Sequence, residues 1–256
     1  MSQTRRIGYD DAVTAMRPRG RFLLLFAIAS LTTAAPVVAG AITPAPTPST
    51  AATMRQIILT PDGGDSYVIN DAAPAAMNVT TTPTSGGGNL REIWYDTTTS
   101  VTRDQESCAT WTDQSNMLDQ QGAALRIHTN STGVTRAITV TKNVMYGAIW
   151  IFNAHVWSGS HYTQFGSVNL AATLDPSGDP SKPLPLPWSM CAKVTSAKLS
   201  LIVWPSTVSK PAYGTPGYGR SWTLPTGWVY QGQPGYYVGH LQPRDHSDYV
   251  VASTTG

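Results

Sequence analysis

The residues best suited to binding chemistry lie in the segment Ile149–Trp157, with the sequence IWIFNAHVW. Side chains alternate between the two faces of a β-strand, so Asn153, His155 and Trp157 share one face. An aromatic ring packs against the apolar C–H face of a sugar, while amide and imidazole groups hydrogen-bond its hydroxyls. The pattern predicts a carbohydrate-binding surface with Trp157 as the stacking ring. An alternative stays open, in which these groups satisfy one another or Trp157 belongs to the core.

Two further side chains are assigned to this surface, on the assumption that their strands lie beside Ile149–Trp157. Arg126 and His240 both belong to segments with strand-like alternation. Their donors would add hydrogen bonds to sugar hydroxyls. The assignment depends on register, because a shift of one residue exchanges the two faces of a strand.

Paired carboxylates would instead indicate cleavage of a glycosidic bond. Beyond residue 41 the chain has two glutamates, Glu92 and Glu106, and Glu92 shares a strand face with Asp96. Residues four positions apart in a flat strand are separated by about 13 Å. Retaining glycosidases need carboxyl groups about 5–5.5 Å apart, and inverting ones about 6.5–9.5 Å. These three acids are therefore secondary candidates, for a glycoside hydrolase or lyase that uses them with His155.

No cofactor is predicted from the motifs of the chain. It lacks the His-Glu-x-x-His, phosphate-loop and Gly-x-Ser-x-Gly patterns. Calcium is compatible with scattered loop carboxylates, although no calcium-binding motif supports it. The loop acids to check for calcium are Asp175, Asp179, Asp245 and Asp248.

The first 41 residues predict export. Five arginines precede the apolar run Phe22–Leu31, and the small-residue site Ala39–Ala41 follows it. A basic region, an apolar region and a small-residue cleavage site are typical of a secretory signal peptide. We expect cleavage near Ala41 and a secreted or cell-envelope protein. The alternative is an uncleaved leader that anchors the chain in a membrane.

The charge of the chain limits the classes of partner it can bind, and its cysteine content indicates the compartment. The formal charge is +2, but without residues 1–41 the chain has 12 basic and 13 acidic side chains. A nearly neutral body without a basic cluster predicts no nucleic-acid partner. Cys108 and Cys191 are the two cysteines of the chain. In an oxidising compartment such a pair predicts one disulfide.

Period-two alternation recurs along the body between Gly- and Pro-rich turns. Many short strands of this kind predict an all-β fold, either an antiparallel sandwich or a barrel. The predicted strands are Gln56–Thr60, Ser66–Asn70, Arg91–Asp96, Ala123–Thr129, Val134–Thr141, Tyr146–Trp157, Gly166–Leu174, Ala197–Trp204, Trp228–Tyr230, Gly235–Leu241 and Tyr249–Ala252.

Composition also divides the chain into segments. We predict a signal peptide over residues 1–41, a Pro/Thr-rich linker over 42–53, a β arm and flexible connection over 54–89, and a β-sandwich domain over 90–256. The strands of the arm either join the sandwich or form a separate unit.

Several segments together resemble a group of uncharacterised secreted actinobacterial proteins. They are Glu106–Trp111, Gln120–Ile127, Phe152–Trp157, Pro187–Lys193 and Gly235–Leu241. The resemblance implies a concanavalin A-like or laminin-G-like β-sandwich, a jelly roll of two antiparallel sheets. That fold often binds glycans on a concave face or a loop edge, so the implied partner is a glycan or cell-wall polysaccharide. A structural envelope protein without a ligand is the remaining alternative, since fold alone does not specify function.

Overall fold

The computed structural model describes residues 54–62, 66–69, 77–83, 88–115, 119–145, 149–175 and 185–255. The predicted signal peptide and Pro/Thr-rich linker lie outside these residues, as does Tyr146–Ala148 of one predicted strand. Within the described ranges, no helix has the length and apolar character needed to cross a membrane.

The described chain consists of strands with one helical turn. The strands are β1 (Met54–Thr60), β2 (Tyr67–Ile69), β3 (Met77–Pro83), β4 (Arg91–Asp96), β5 (Gln105–Gln114), β6 (Gln120–Thr129), β7 (Thr135–Lys142), β8 (Ile151–Ser158), β9 (His161–Asn169), β10 (Trp188–Thr195), β11 (Lys198–Pro205), β12 (Gly219–Thr223), β13 (Gln233–Gly239) and β14 (Ser247–Thr255). The helical turn α1 is Ala171–Leu174 and follows β9.

The strands form two antiparallel sheets of seven strands each. Sheet A has the order β1–β4–β13–β6–β7–β8–β9, and sheet B has the order β12–β11–β10–β5–β14–β3–β2. The all-β antiparallel sandwich predicted from the sequence is thereby confirmed. Because β1 pairs with β4, and β2 with β3 in sheet B, the strands of residues 54–83 are members of the two sheets.

The core lies between the two sheets and is rich in aromatic side chains. Trp111 of β5 and Trp188 of β10 stack with ring centres 4.3 Å apart, and Phe152 of β8 meets Trp188 edge to face. Phe152, Ala154 and Val156 are buried in this core, as alternation along β8 predicts. Burial of such side chains contributes roughly 1.5–3 kcal/mol each and fixes which face of each sheet points inward.

The predicted disulfide is present and joins neighbouring strands of sheet B. Cys108 of β5 and Cys191 of β10 are directly opposed, with Cα atoms 4.1 Å apart. They lie on the outward face of sheet B, where Ile202, Trp204 and the partly buried ring of Tyr213 cover them. The bond therefore links segments that are 83 residues apart in the chain.

The last two strands occupy inner positions, one in each sheet. β13 pairs with β4 on one side and β6 on the other, in the middle of sheet A. β14 pairs with β3 and β5 in sheet B. The final segment of the chain therefore completes both sheets.

Several strand predictions need correction. β5, β10 and β12 were not predicted, and β3 lies within the segment expected to be a flexible connection. Trp228–Tyr230, predicted as a strand, is irregular loop. The outward faces of β5 and β10 carry Glu106, Thr110 and Lys193 opposite apolar inward residues, so the two-residue alternation was present in both strands and was overlooked.

Candidate functional site

The outward face of sheet A combines polar and aromatic side chains on a strongly curved surface. We call it the concave face. Its principal side chains are Arg91, Gln120, Thr139, Thr141, Asn153, His155, Trp157, Tyr162, Gln164 and Tyr237. The strands of sheet A contain two carboxylates, Glu92 and Asp96. Both side chains lie on the face of β4 opposite to that of Arg91. The concave face therefore carries no carboxylate from these strands.

Glycines at the centre of sheet A permit the close packing of this surface. A Cβ atom on Gly122 would lie 2.3 Å from the Val140 carbonyl oxygen, so no other residue fits there without backbone movement. A Cβ atom on Gly239 would lie 3.0 Å from the Tyr237 hydroxyl and 3.2 Å from Cγ of Arg91. Glycine inside a strand is typical of a bend or of close backbone approach.

The curvature brings together side chains from distant strands. The Arg91 guanidinium carbon lies 5.9 Å from the centre of the Tyr162 ring. Four strands separate β4 from β9, a distance of about 24 Å in a flat sheet. Sheet A therefore curves enough to bring Arg91 into cation–π contact with Tyr162, and we call the hollow of this curved face the groove.

His155 lies near the bottom of this groove and is almost completely buried. Its ring meets the Tyr162 ring edge to face, with centres 5.3 Å apart, and its side chain hydrogen-bonds Gln164. Burial, followed by the positive charge of Arg91, lowers the pKa of His155 to about 4. The imidazole is consequently neutral at physiological pH, and its Nδ1 atom is buried without a hydrogen-bond partner.

A second polar atom on the same face also lacks a partner. The Oγ1 atom of Thr141 is buried and makes no hydrogen bond. Thr141 is directly opposed to Asn153, which is half-buried. Asn153 is two residues before His155 on β8, so the two side chains lie on the same face of the strand. Buried polar groups in native proteins are nearly always hydrogen-bonded, so these two atoms are hydrogen-bonding groups that the protein itself leaves unsatisfied.

Trp157 belongs to the concave face, as predicted, but it is not an open stacking ring. It is 2% exposed, and its Nε1 donates to Thr139 Oγ1 at 2.9 Å. Tyr162 lies directly opposite on β9, with ring centres 4.8 Å apart, and is 51% exposed. The exposed aromatic ring of this face is therefore Tyr162, and the prediction of Trp157 as the stacking surface is wrong.

Arg126 does not lie on the concave face. It has φ of 50° within a β-bulge of β6 and is fully buried. Its guanidinium donates to the backbone carbonyls of Arg103, Trp228 and Ser196, at 2.9, 2.6 and 2.6 Å. All of these acceptors belong to loops, so Arg126 ties loops to the end of sheet A. The prediction that it binds ligand is corrected accordingly.

His240 lies just beyond β13, near Arg91. Its Nδ1 atom contacts the Gly88 carbonyl oxygen, and its backbone has φ of 63°. Burial lowers the pKa of His240 to about 4, and the charge of Arg91 contributes in the same direction. The ring is half-buried and is held by the chain before β4, which gives it a place at one end of the groove.

The three candidate catalytic acids are not brought together. Glu92 is buried on the inward side of β4, where the Tyr67 amide donates to its Oε1 at 3.1 Å and Gln56 donates to its Oε2. Burial raises the pKa of Glu92 to about 7. Asp96 accepts hydrogen bonds from the Thr98 amide and hydroxyl in a turn. Neither carboxylate shares a cleft with His155.

Glu106 is on the other sheet. It forms an ion pair with Lys210 at 2.7 Å and accepts a hydrogen bond from the Tyr213 hydroxyl at 2.8 Å. These hydrogen bonds and the lysine charge outweigh burial and lower the pKa of Glu106. Its role is to hold the loop that covers the disulfide.

Tyr162, Gln164 and Arg91 were not identified from the sequence. The signal for Tyr162 was the segment Trp157-Ser-Gly-Ser-His161, in which Gly159 adopts φ of 58° in a two-residue hairpin turn. A Gly-Ser pair between aromatic residues is a hairpin signal that places Tyr162 opposite Trp157. Arg91 had no comparable signal, because its neighbour across the groove depends on the curvature of the sheet.

Two clusters of described residues have donor atoms that all lie within 4.8 Å of one another. The first is Glu106 with Cys108 and Cys191, whose sulfur atoms are already joined in the disulfide, and the second is Asp113, His246 and Asp248. His246 Nδ1 is hydrogen-bonded to the Ser115 hydroxyl at 2.8 Å, and Nε2 lies 3.5 Å from the Asp113 carboxylate. Both ring nitrogens therefore already have partners within the protein. Of the other loop acids considered for calcium, Asp179 lies outside the described residues.

Comparisons with known proteins relate the chain to sandwich folds of low similarity. No family model matches the chain, and no curated protein matches its sequence. The VIP36 exoplasmic/lumenal domain, in its Ca²⁺/Man3GlcNAc-bound form, has a TM-score of 0.45 and 10% identity over 77% of this chain and 82% of its own.

Two bacterial structures are similar at lower scores. Carbohydrate-binding module CBM66 from Bacillus subtilis has a TM-score of 0.37 and 7% identity, covering 78% of this chain and 93% of its own. The alginate lyase from Klebsiella pneumoniae has a TM-score of 0.35 and 10% identity, covering 75% and 84%. Such distances leave ligand and activity to be argued from the side chains of this chain.

Proposed function

We propose that this protein binds carbohydrate on the concave face of sheet A, with Tyr162 as the stacking ring. In this proposal the exposed face of the ring covers the C–H face of a sugar. His155 Nδ1 accepts a hydrogen bond from one hydroxyl, and Thr141 and Asn153 bind others. The partner is a glycan or cell-wall polysaccharide met outside the cell, in keeping with the disulfide and the predicted leader.

The observation that carries the proposal is the combination of an exposed aromatic ring with unpaired buried polar atoms. Tyr162 is half-exposed, while His155 Nδ1 and Thr141 Oγ1 lack partners on the same face. A buried polar atom without a partner costs about 1–3 kcal/mol, which a bound hydroxyl offsets.

The proposal is tested by screening the purified protein on a glycan array, with and without calcium, and by titrating the glycans it binds. Tyr162→Ala is expected to weaken binding at least tenfold, because central aromatic contacts contribute about 2 kcal/mol or more. Tyr162→Phe keeps the ring and should retain most of the affinity. His161→Ala is the matched control, since His161 is the preceding residue of β9 and points to the other side. Unchanged affinity in Tyr162→Ala would contradict the proposal.

A lyase on the same face is the second candidate. The His155 imidazole is neutral at physiological pH, as a general base must be, and its chemistry needs no carboxylate pair, although burial and the Arg91 charge hold its pKa at about 4 and make it a weak base. A hydrolase that uses two carboxylates has no support, because Glu92, Asp96 and Glu106 are apart. The chain length of each bound glycan after prolonged incubation decides between binding and cleavage. Shortening that His155→Ala abolishes would establish the lyase.

A further inference from the structure

We propose that the concave face selects sugars that carry a carboxylate, such as uronic acids, and that Arg91 receives that carboxylate. This inference rests on the proposed function and names the class of glycan. It follows from the position of Arg91, from the absence of an acidic partner and from the geometry of the groove.

Arg91 has no ion-pair partner among the described residues. Lys210 pairs instead with Glu106, and His246 pairs with Asp113. Arg91 Nη1 donates to Thr60 Oγ1 at 3.2 Å and to the Asn89 carbonyl at 3.3 Å, which are both neutral acceptors. The guanidinium is thus oriented by the chain while its charge is not neutralised.

The surroundings of Arg91 reinforce its positive potential. The sheet A strands place no carboxylate on the concave face, and Glu92, the neighbour of Arg91 in the chain, is buried on the opposite side. The charge of Arg91 reaches both His155 and His240, whose protonation it disfavours. Arg91 shares this face of sheet A with Arg55 of β1, and a guanidinium that has no carboxylate within ion-pair distance attracts an anion and gains from pairing with one.

The geometry favours a carboxylate attached to a sugar ring. The Arg91 guanidinium carbon lies 5.9 Å from the centre of the Tyr162 ring, so a sugar that packs on Tyr162 has its substituents within reach of Arg91. Guanidinium binds carboxylate through two parallel hydrogen bonds, and lysine cannot reproduce this arrangement. Ring stacking and carboxylate pairing can therefore act on one monosaccharide unit.

The test uses a panel of polyuronates (polygalacturonate, alginate, hyaluronan and glucuronan), each paired with the same polymer after reduction of its carboxylates to alcohols. We expect the wild-type protein to bind at least one polyuronate at least tenfold more tightly than its reduced form. Added sodium chloride should decrease that preference, because salt screens charge pairing. Arg91→Gln should abolish the preference, and Arg91→Lys should recover only part of it.

Controls separate this inference from the proposed function. Arg220→Gln removes an exposed arginine of β12 in sheet B and should leave the preference intact. Near-ultraviolet circular dichroism checks that each variant is folded. Equal affinity for acid and reduced polymers, or a preference that survives in Arg91→Gln, overturns the role of Arg91 while Tyr162-dependent binding stands. Failure to bind any glycan, acidic or neutral, overturns both proposals.

Discussion

Trp157 and Tyr162 are directly opposed across the β8–β9 hairpin, with ring centres 4.8 Å apart. The two rings have different roles because Tyr162 covers Trp157. The tryptophan packs against Ala137 and Tyr237 within the outward apolar cluster of sheet A, whereas half of the tyrosine is open to solvent. Stability is therefore expected to depend on one ring and binding on the other.

The first prediction separates these two roles. Trp157→Ala should lower the free energy of unfolding by about 3–5 kcal/mol, since it removes a buried aromatic side chain and the partner of Thr139. Tyr162→Ala should lower it by about 1 kcal/mol or less, since half of that side chain is already exposed. Urea unfolding of the two variants measures both values. A loss of unfolding free energy in Tyr162→Ala that equals or exceeds the loss in Trp157→Ala would contradict the separate roles of the two rings.

A second prediction concerns Arg126, whose guanidinium serves three backbone carbonyls. Arg126→Met keeps much of the volume but leaves those acceptors without donors, so we expect a loss of about 3 kcal/mol or more in unfolding free energy. Arg126→Lys should recover only part of the loss, because one ammonium group cannot span the three acceptors. Glycan affinity of the folded variants should equal that of the wild type. A selective loss of affinity would restore Arg126 as a binding residue.

A third prediction addresses the disulfide. Cys108→Ala/Cys191→Ala should lower the free energy of unfolding by about 4 kcal/mol, since the bond restricts a long loop in the unfolded chain. Denaturant titration of the double variant, beside the oxidised wild type, measures this difference. Binding on the concave face should persist in the folded fraction, because the bond lies on the outward face of the other sheet. An unchanged denaturation midpoint would show that the bond has no stabilising role.

The fourth prediction is a pH dependence of stability caused by Glu92. Burial raises its pKa to about 7 in the folded state from 4.5 in a solvated chain. Between these values the folded protein binds more protons than the unfolded chain, so unfolding free energy decreases as pH rises from about 4.5 to 7. The decrease is at most roughly 3 kcal/mol and levels off above pH 7.

Glu92→Gln supplies the control for this measurement, because its amide oxygen still accepts from the Tyr67 amide but does not titrate. Urea unfolding across the pH range should give the wild type a steeper decrease than Glu92→Gln. Parallel curves for the two proteins would contradict the raised pKa.

The sequence predicted the fold class and the disulfide because their signals are local or compositional. Phe152, Ala154 and Val156 alternate cleanly with polar residues, and two cysteines in one chain have one simple pairing. The sheet order and the curvature depend on contacts between distant strands. Arg91 was therefore missed, since nothing near it in the chain indicates Tyr162.

The error at Arg126 has a specific backbone cause. Leu125 packs between the sheets while Ile127 packs on the outward face of sheet A, although simple alternation places both on one side. The bulge at Arg126, with its positive φ, reverses the phase of β6 at this point. An unmarked bulge changes the face of every later residue in its strand, which alternation alone does not reveal.

The inner positions of β13 and β14 also determine when the domain can form. Until residues 233–255 have left the ribosome, β4 and β6 lack the strand that lies between them in sheet A, and β5 lacks one of its two neighbours in sheet B. Neither half of the sandwich is continuous during most of synthesis, and its long-range pairings form late. The sandwich therefore cannot be completed before residues 233–255 are synthesised, and until then the strand edges that β13 and β14 cover remain open to other contacts.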